Sequence, residues 1–332
     1  MHTLELTCGE QRILLPRLAL GTGSFGKTVS PAQAFALLDR YRGADGTCID
    51  TARMYADGAS EEIIGEYLVQ RGCRGQVILS TKGGFPPAGD MHRSRIRPDA
   101  LRSDLENSLR ALRTDYADVY FLHRDDPSFP VEQLMPFLDG LVRAGVVRFL
   151  GASNWTAARI DEANRFAAEN GLTPFSISQI QWSLAESTPS MWNDDTIVCM
   201  DGTQARFYRD ASMPVMAFTP LTRGFFDKLA AVPPGRTLPE ELRVFATPRN
   251  RERLRRLQEI CRNRGATTAQ VCHAYITSGS PSGIAVMGAK TLRHLEDSLA
   301  GADLVLTEQE LAALRADDTT EMERKISHAG LS

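Results

Sequence analysis

Four side chains of types suited to moving a proton onto an oxyanion fall at or just past the ends of three short apolar runs. Asp50 ends Cys48-Ile49-Asp50, and Tyr55 follows five residues on. Lys82 ends Leu79-Ser80-Thr81-Lys82, and His123 ends Val119-Tyr120-Phe121-Leu122-His123. A phenol can protonate a developing alkoxide, but its free pKa of about 10 makes it a weak acid near neutrality. A neighbouring ammonium favours the phenolate and lowers that value, while a carboxylate holds the ammonium charged and in place. An imidazole beside them can hydrogen-bond a carbonyl oxygen and orient it. Each residue alone has a plainer reading: Tyr55 as an aromatic after a strand, Asp50 and Lys82 as an ion pair, His123 as a satisfied core histidine. Set together at three strand ends, they read as one catalytic group.

Elements that would bring those ends together are visible as alternation along the chain. Short β-rich apolar runs at 18–21, 47–51, 77–82, 118–123, 147–152, 176–181, 215–219 and 283–287 predict eight strands. Helical-period stretches intervene, including 31–41, 61–69, 98–112, 131–144 and 157–170. Strands alternating with helices predict a closed parallel α/β fold, a (β/α)8 TIM barrel, whose strands are buried on both faces. Barrel active sites sit at the rim formed by the strands' C-terminal ends, which is where the four residues fall. Residues 2–7 and 12–15 flank the turn-like Cys8-Gly9-Glu10 and predict an N-terminal β-hairpin plugging the bottom of the barrel. Two long connections, 185–213 and 227–249, read as functional or disordered. No linker or repeat splits the chain, so residues 1–332 read as a single domain.

Composition excludes several classes of partner. The 332 residues carry a net charge of −3, with 42% hydrophobic and 24% charged residues, so no basic surface argues for nucleic acid. No apolar run is long enough to span a bilayer, and residues 1–6 lack a secretory signal, which makes a cytoplasmic protein the expectation. Six scattered cysteines form no C-x-x-C pair and predict neither a disulfide framework nor a metal site. Cys272-His273 reads as part of a buried helix.

Two other chemistries compete. Gly21-Thr22-Gly23-Ser24-Phe25-Gly26 matches the dinucleotide fingerprint G-x-G-x-x-G, but Pro16 interrupts the preceding run and helical patterning resumes only near Pro31. Asp125 and Asp126 would be paired carboxylates for a barrel hydrolase, yet Asp126-Pro127 reads as a turn and leaves Tyr55 and Lys82 without a role. Glu61 and Glu62 read as acids complementing a first helical turn, and the basic run 249–256 as a solvated helix face.

The chain resembles the aldo-keto reductase superfamily. The resemblance is carried by Asp50-Thr51-Ala52 with Tyr55, Gly58-Ala59-Ser60-Glu61-Glu62-Ile63-Ile64-Gly65, Ser80-Thr81-Lys82 and Leu122-His123-Arg124. Gly151-Ala152-Ser153-Asn154-Trp155, Gln179, Ala217-Phe218-Thr219-Pro220-Leu221 and Gly288-Ala289-Lys290-Thr291 extend it in order along most of the chain. It implies a catalytic tetrad of Asp50, Tyr55, Lys82 and His123, with hydride delivered from a reduced nicotinamide to an aldehyde or ketone. His123 favours carbonyl reduction, because relatives that reduce carbon–carbon double bonds tend to carry Glu there.

The same resemblance implies a cofactor path. The loop holding Gly21 and Thr22 would pass beneath the nicotinamide, Ser153, Asn154 and Gln179 would bind its carboxamide, and Phe218 would stack on the ring in place of a more usual tyrosine. Thr219, Pro220, Leu221, Arg223 and Gly224 match the loop around the pyrophosphate. Gly288, Lys290, His294, Asp297 and Ser298 match the adenosine end, where Lys290 is placed for a 2′-phosphate. NADPH is therefore favoured, with NADH as the alternative.

Phe25, Met54, Phe85, Trp155 and Trp192 are expected as substrate walls by their placement near strand ends or on long loops. His92, Arg93 and Arg95 offer either an anion-reading segment or a solvated loop. After Leu314 only a short polar tail follows, which speaks against a large C-terminal lid. The expected partner is a small carbonyl compound, and oligomeric state is unreadable. A rival from another class is a regulatory subunit that holds the cofactor on the same barrel as a slow redox sensor.

Overall fold

The structure, a computed structural model, describes residues 1–315 apart from residue 234. The chain opens with an antiparallel hairpin, β1 (Thr3–Cys8) and β2 (Gln11–Pro16). Eight strands follow: β3 (Leu18–Gly21), β4 (Cys48–Asp50), β5 (Ile78–Gly83) and β6 (Ala117–Leu122), then β7 (Val147–Ser153), β8 (Phe175–Gln181), β9 (Val215–Phe218) and β10 (Gly283–Gly288). They pair in sequence order, and β10 returns to pair with β3, closing a parallel barrel. All eight predicted strands are present, with ends moved by at most one residue.

Period-two alternation sorts each strand's side chains between two cores. Ala19, Cys48, Val119, Phe121, Phe149, Ile177, Met216, Ile284 and Val286 point into the barrel, where Leu6, Ile13 and Leu15 of the hairpin join them. The hairpin thus closes the barrel floor, as its sequence predicts. Alternate residues such as Leu20, Tyr120, Leu150 and Ala285 face outward and pack beneath the helices. The interior is filled tightly: a Cβ on Gly151 would lie 2.4 Å from the Phe121 ring.

The outer layer holds α1 (Pro31–Arg42), α2 (Ala59–Arg71), α3 (Pro98–Leu112), α4 (Val131–Arg143) and α5 (Ala157–Glu169). It continues with α6 (Gly202–Asp210), α7 (Phe225–Ala230), α8 (Glu240–Arg243) and α9 (Pro248–Arg264). The last are α10 (Thr268–Thr277), α11 (Leu292–Ala300) and α12 (Glu308–Arg315). Local sequence sets several starts: Ser30 and Gln33 form a capping box with Pro31 at the first turn, and Thr267 does the same with Gln270.

Both long connections contain short helices. Residues 185–213 hold a 3₁₀ turn at Pro189–Trp192 and α6, while 227–249 hold the end of α7, α8 and the start of α9. The basic run is not simply a solvated face, because Arg253 is buried and donates to the Leu184 carbonyl at 2.8 Å. The tail read as too short for a lid falls in 316–332, outside the described residues.

Cys272 and His273 are both buried in α10. Neither ring nitrogen of His273 has a hydrogen-bond partner among the described residues, and burial depresses its pKa from 6.5 to about 4. Between those values the unfolded imidazole holds a proton that the folded one lacks. Its contribution to stability is therefore complete above pH 6.5 and is lost as pH falls towards 4. Relative to His273→Leu, the wild type should lose about 1.4 kcal/mol more stability per pH unit across that interval in denaturant unfolding. Parallel pH dependences would contradict this assignment.

Candidate active site

Register in the parallel barrel raises three adjacent strand ends to one rim. Asp50 pairs with Ser80 across β4 and β5, and Gly83 pairs with Leu122 across β5 and β6. Lys82 therefore lies one step above Asp50, and the His123 amide donates to the Gly83 carbonyl at 2.8 Å. The Lys82 ammonium has three protons and three acceptors: Asp50 Oδ2 at 2.8 Å, the Thr51 carbonyl at 2.8 Å and Tyr55 Oη at 3.3 Å. Asp50 Oδ1 accepts from Ser80 Oγ at 2.8 Å and Gln179 Nε2 at 3.0 Å. This buried pair is thus fully hydrogen-bonded, which offsets the cost of desolvating both charges.

Protonation follows from the packing. Burial lowers the Lys82 pKa, but the Asp50 carboxylate and Tyr55 outweigh it and hold the ammonium charged. Burial raises the Tyr55 phenol above its ordinary value, against the pull of Lys82. That corrects the expectation that lysine sets the net direction: desolvation wins, and the phenol stays protonated at neutral pH. Because Tyr55 Oη accepts from Lys82, its own proton is left to donate elsewhere.

Burial, with the charges of Lys82 and Arg124, holds His123 well below the ordinary imidazole range and keeps the ring neutral. Its Nδ1 is buried without a partner among the described residues. An orphaned acceptor costs less than an orphaned donor, so the proton belongs on Nε2. The Phe85 ring lies 4.8 Å from the imidazole and Tyr55 6.0 Å from it, edge-on.

From this corner a cleft of about 1040 Å³ runs along the rim towards the start of α11. Gly21 and Thr22 line its floor, with the Thr22 hydroxyl donating to the Asp50 carbonyl at 3.0 Å. Gly21 has no room for a side chain, since a Cβ would sit 2.8 Å from Val286 Cγ1. Ser153, Asn154 and Gln179 line the middle with Phe218. Gln179 keeps its amide oxygen and Ser153 its hydroxyl proton for a ligand. Asn154 is different: its amide nitrogen donates to the His123 carbonyl and Ser153 Oγ, and its oxygen accepts from Val198. Its amide is committed to holding the rim.

Thr219, Pro220, Leu221, Arg223 and Gly224 form the next wall. Thr219, Thr222 and Arg223 have φ of 51°, 47° and 57°, and left-handed β-branched residues signal strain held by surrounding structure. At the far end lie Gly288, Lys290, His294, Asp297 and Ser298. Lys290 and His294 are exposed. Asp297 is tied instead to α10 through Thr267 and Gln270, each at 3.2 Å. An extended groove with free amide and hydroxyl groups at one end and the Lys290 ammonium at the other fits a dinucleotide.

The structure divides the expected substrate walls. Trp192 lines the cleft; Phe85 does not, but packs on His123, which does. Phe25 does not reach it, being fully buried in the outer core where its loop folds back onto Val29. Trp155 is likewise buried against Phe175 at 5.2 Å, its indole N–H donating to the Arg124 carbonyl at 3.0 Å. Met54, 37% exposed, faces solvent and lies off the cleft wall.

Other readings fall for lack of free groups. Of the three candidates for reading an anion, Arg95 pairs with Asp104 and exposed His92 meets Asp195 at 3.4 Å, which leaves only the exposed Arg93 for that role. Asp126 accepts from Arg97 and Ser128, and Asp125 faces Arg159 at 3.6 Å, which removes the paired-carboxylate alternative. Glu61 lies in the first turn of α2 as expected, and is in addition wholly buried and bonded to Arg53 and Thr81.

Sequence reasoning gave Arg124 no role. Its guanidinium donates to Thr196 Oγ1 at 2.8 Å, the His123 carbonyl at 3.0 Å and Asp194 at 3.1 Å, and lies over Phe85 at 4.9 Å. It ties the loop carrying Trp192 to the catalytic strand end. Adjacency to His123 was the one available signal. Asp227, Lys228 and Glu241 also line the groove, and they come from the second long connection.

Comparison with known proteins agrees with this architecture. The model of the aldo/keto reductase family matches residues 17–318. The aldo-keto reductase str7 of Strobilurus tenacellus is 30% identical over 302 residues, 89% of this chain and 83% of its own length. Norsolorinic acid reductase A of Aspergillus parasiticus is 30% identical, covering 91% of this chain and 79% of that protein. An NADP(+) aryl-alcohol dehydrogenase of Phanerodontia chrysosporium is 28% identical, covering 89% and 77%. The crystal structure of the thermostable aldo-keto reductase Tm1743 with the inhibitor epalrestat superposes with a TM-score of 0.72 at 26% identity, covering 95% of this chain and 99% of that one. The chain belongs to the aldo/keto reductase family.

Proposed function

We propose that this protein is an NADPH-dependent reductase of aldehydes and ketones, and that its preferred substrates carry the carbonyl next to an aromatic ring. The observation that carries the reading is the hydrogen bond from Lys82 to Tyr55 Oη, 3.3 Å long, which leaves the phenol proton free beside a neutral His123.

A reduced nicotinamide, when bound in this groove, would supply the hydride for the carbonyl carbon. Tyr55 donates its proton to the carbonyl oxygen as negative charge develops there. Lys82, held by Asp50, stabilises the phenolate that remains. His123 donates from Nε2 to the same oxygen and fixes the carbonyl's direction, which is worth rate because it removes orientational freedom. Ser153 and Gln179 would hold the carboxamide, Phe218 would offer its ring to the nicotinamide, and Asn154 would act through His123 and Ser153.

Trp192 on the cleft wall supports an aromatic substrate, since flat π surfaces pair by offset or edge contacts. One relative points the same way by name, as an aryl-alcohol dehydrogenase. Lys290 and His294 favour a 2′-phosphate at the adenosine end.

With purified protein and NADPH, aryl aldehydes should be consumed with loss of the reduced-nicotinamide absorbance. No turnover across aryl and alkyl aldehydes, ketones and quinones would favour the cofactor-holding regulatory subunit instead. Lys290→Met should weaken NADPH binding about tenfold by fluorescence titration while leaving NADH affinity unchanged, as expected for one charge-assisted contact. Equal losses for both cofactors would remove the assignment of that lysine to the 2′-phosphate.

A further inference from the structure

We propose that Arg53 and Glu61 are positioning residues that clamp the Tyr55 loop to the strand bearing Lys82, and so set the separation between phenol and ammonium. The inference rests on the reading of Tyr55 as proton donor. It concerns two residues that touch neither the cleft nor any reacting atom.

The loop after Tyr55 does not hold itself. Ala56, Asp57 and Gly58 have φ of 50°, 55° and 101°, three successive residues on the left-handed side, two of them carrying a Cβ. Such a run is unfavourable and persists only where its surroundings over-determine it. Arg53 supplies the restraint from below. Its backbone N–H donates to the Lys82 carbonyl at 3.2 Å, its Nη2 to the Asp57 carbonyl at 3.2 Å and its Nη1 to Glu61 Oε2 at 2.8 Å. The guanidinium passes directly over Gly58, where a Cβ would lie 1.7 Å from Nη2. Glycine is thus required there twice, by its φ and by the arginine.

Glu61 closes the circuit. Its Oε1 accepts from Thr81 Oγ1 at 2.6 Å, and Thr81 immediately precedes Lys82. The Tyr55 loop is therefore fastened to β5 at two consecutive residues, once by backbone and once through the Arg53–Glu61 pair. Glu61 is fully buried, and burial raises its pKa against the pull of Thr81 and Arg53. An ion pair with a fully desolvated carboxylate and a partly exposed guanidinium seldom adds net stability over apolar packing, so this one is better explained by the geometry it enforces. What it enforces is the Lys82–Tyr55 contact. Tyr55 also faces Asp50 from β4 and His123 and Arg124 from the end of β6, but none of these bonds its loop backbone.

Removing one partner would strand the other charge, so the informative variant is Arg53→Gln with Glu61→Gln, which deletes both charges and keeps polar side chains. This double variant should fold with wild-type far-UV circular dichroism and bind NADPH within about twofold. With an aryl aldehyde, kcat should fall about tenfold to a hundredfold at little change in KM, the size expected for an ångström of misplacement. The alkaline limb of the kcat profile should move to higher pH, because a phenol drawn away from Lys82 holds its proton more tightly. Arg53→Lys, which keeps the charge on Glu61 and loses the bond to Asp57, should recover part of the rate. A folded, cofactor-binding double variant with wild-type kcat and pH profile would overturn the proposal. Should the double variant fail to fold, Arg53→Lys decides: reduced kcat at unchanged KM supports the clamp, and wild-type kcat overturns it. Failure of the underlying reading looks different, as Tyr55→Phe would then retain full activity alongside every Arg53 variant.

Discussion

An ammonium buried in the mouth of a barrel is the constraint around which the rest of the site is arranged. Lys82 is fully buried, and its charge survives because each of its protons has an acceptor: a carboxylate, a backbone carbonyl and a phenol. The barrel makes this possible. Parallel strands in adjacent register deliver Asp50 and Lys82 to neighbouring positions on one inner face, and Gln179, four strands away, reaches Asp50 only because the sheet is closed. Closure in turn depends on filling the interior below, where the hairpin's Leu6, Ile13 and Leu15 complete a layer that the strands alone leave open. Packing at the floor and electrostatics at the rim are thus parts of one arrangement.

Strain is distributed in the same way. Left-handed residues other than glycine gather around the cleft: Ala56 and Asp57 beside Tyr55, Asn154 beside His123, and Thr219, Thr222 and Arg223 along the far wall. Each is held by identifiable bonds, such as Asn154 by His123 and Val198, and Thr222 by Ser183. The scaffold holds these loops in shapes they would not adopt alone, which is how a cleft can present fixed donors to a ligand.

Much of this was legible from the sequence, for physical reasons. Strands buried on both faces must be continuous apolar runs, so all eight stand out, and the chemistry at their ends stands out with them. Side-chain direction was not legible. Phe25 and Trp155 sit near strand ends as expected but turn into the outer core, since placement along a chain does not say which way a ring points. Pairing was equally hidden: Glu61 has the pattern of an ordinary helix-start acid, and only its contacts with Arg53 and Thr81 reveal a buried carboxylate. The net direction of the Tyr55 shift also needed coordinates, because it is a balance between burial and a nearby charge. Arg124 was visible only as part of a motif, without a role, since its partners, Asp194 and Thr196, lie some 70 residues away in sequence.

The account turns on a proton held by Tyr55 next to Lys82. Its most direct test is the rate of hydride transfer in a single turnover, followed by loss of nicotinamide absorbance after mixing the NADPH complex of Tyr55→Phe with an aryl aldehyde. A fall of about a hundredfold or more relative to wild type, with NADPH affinity retained, is the expected result for loss of a general acid. Hydride transfer at the wild-type rate in that variant would contradict the account.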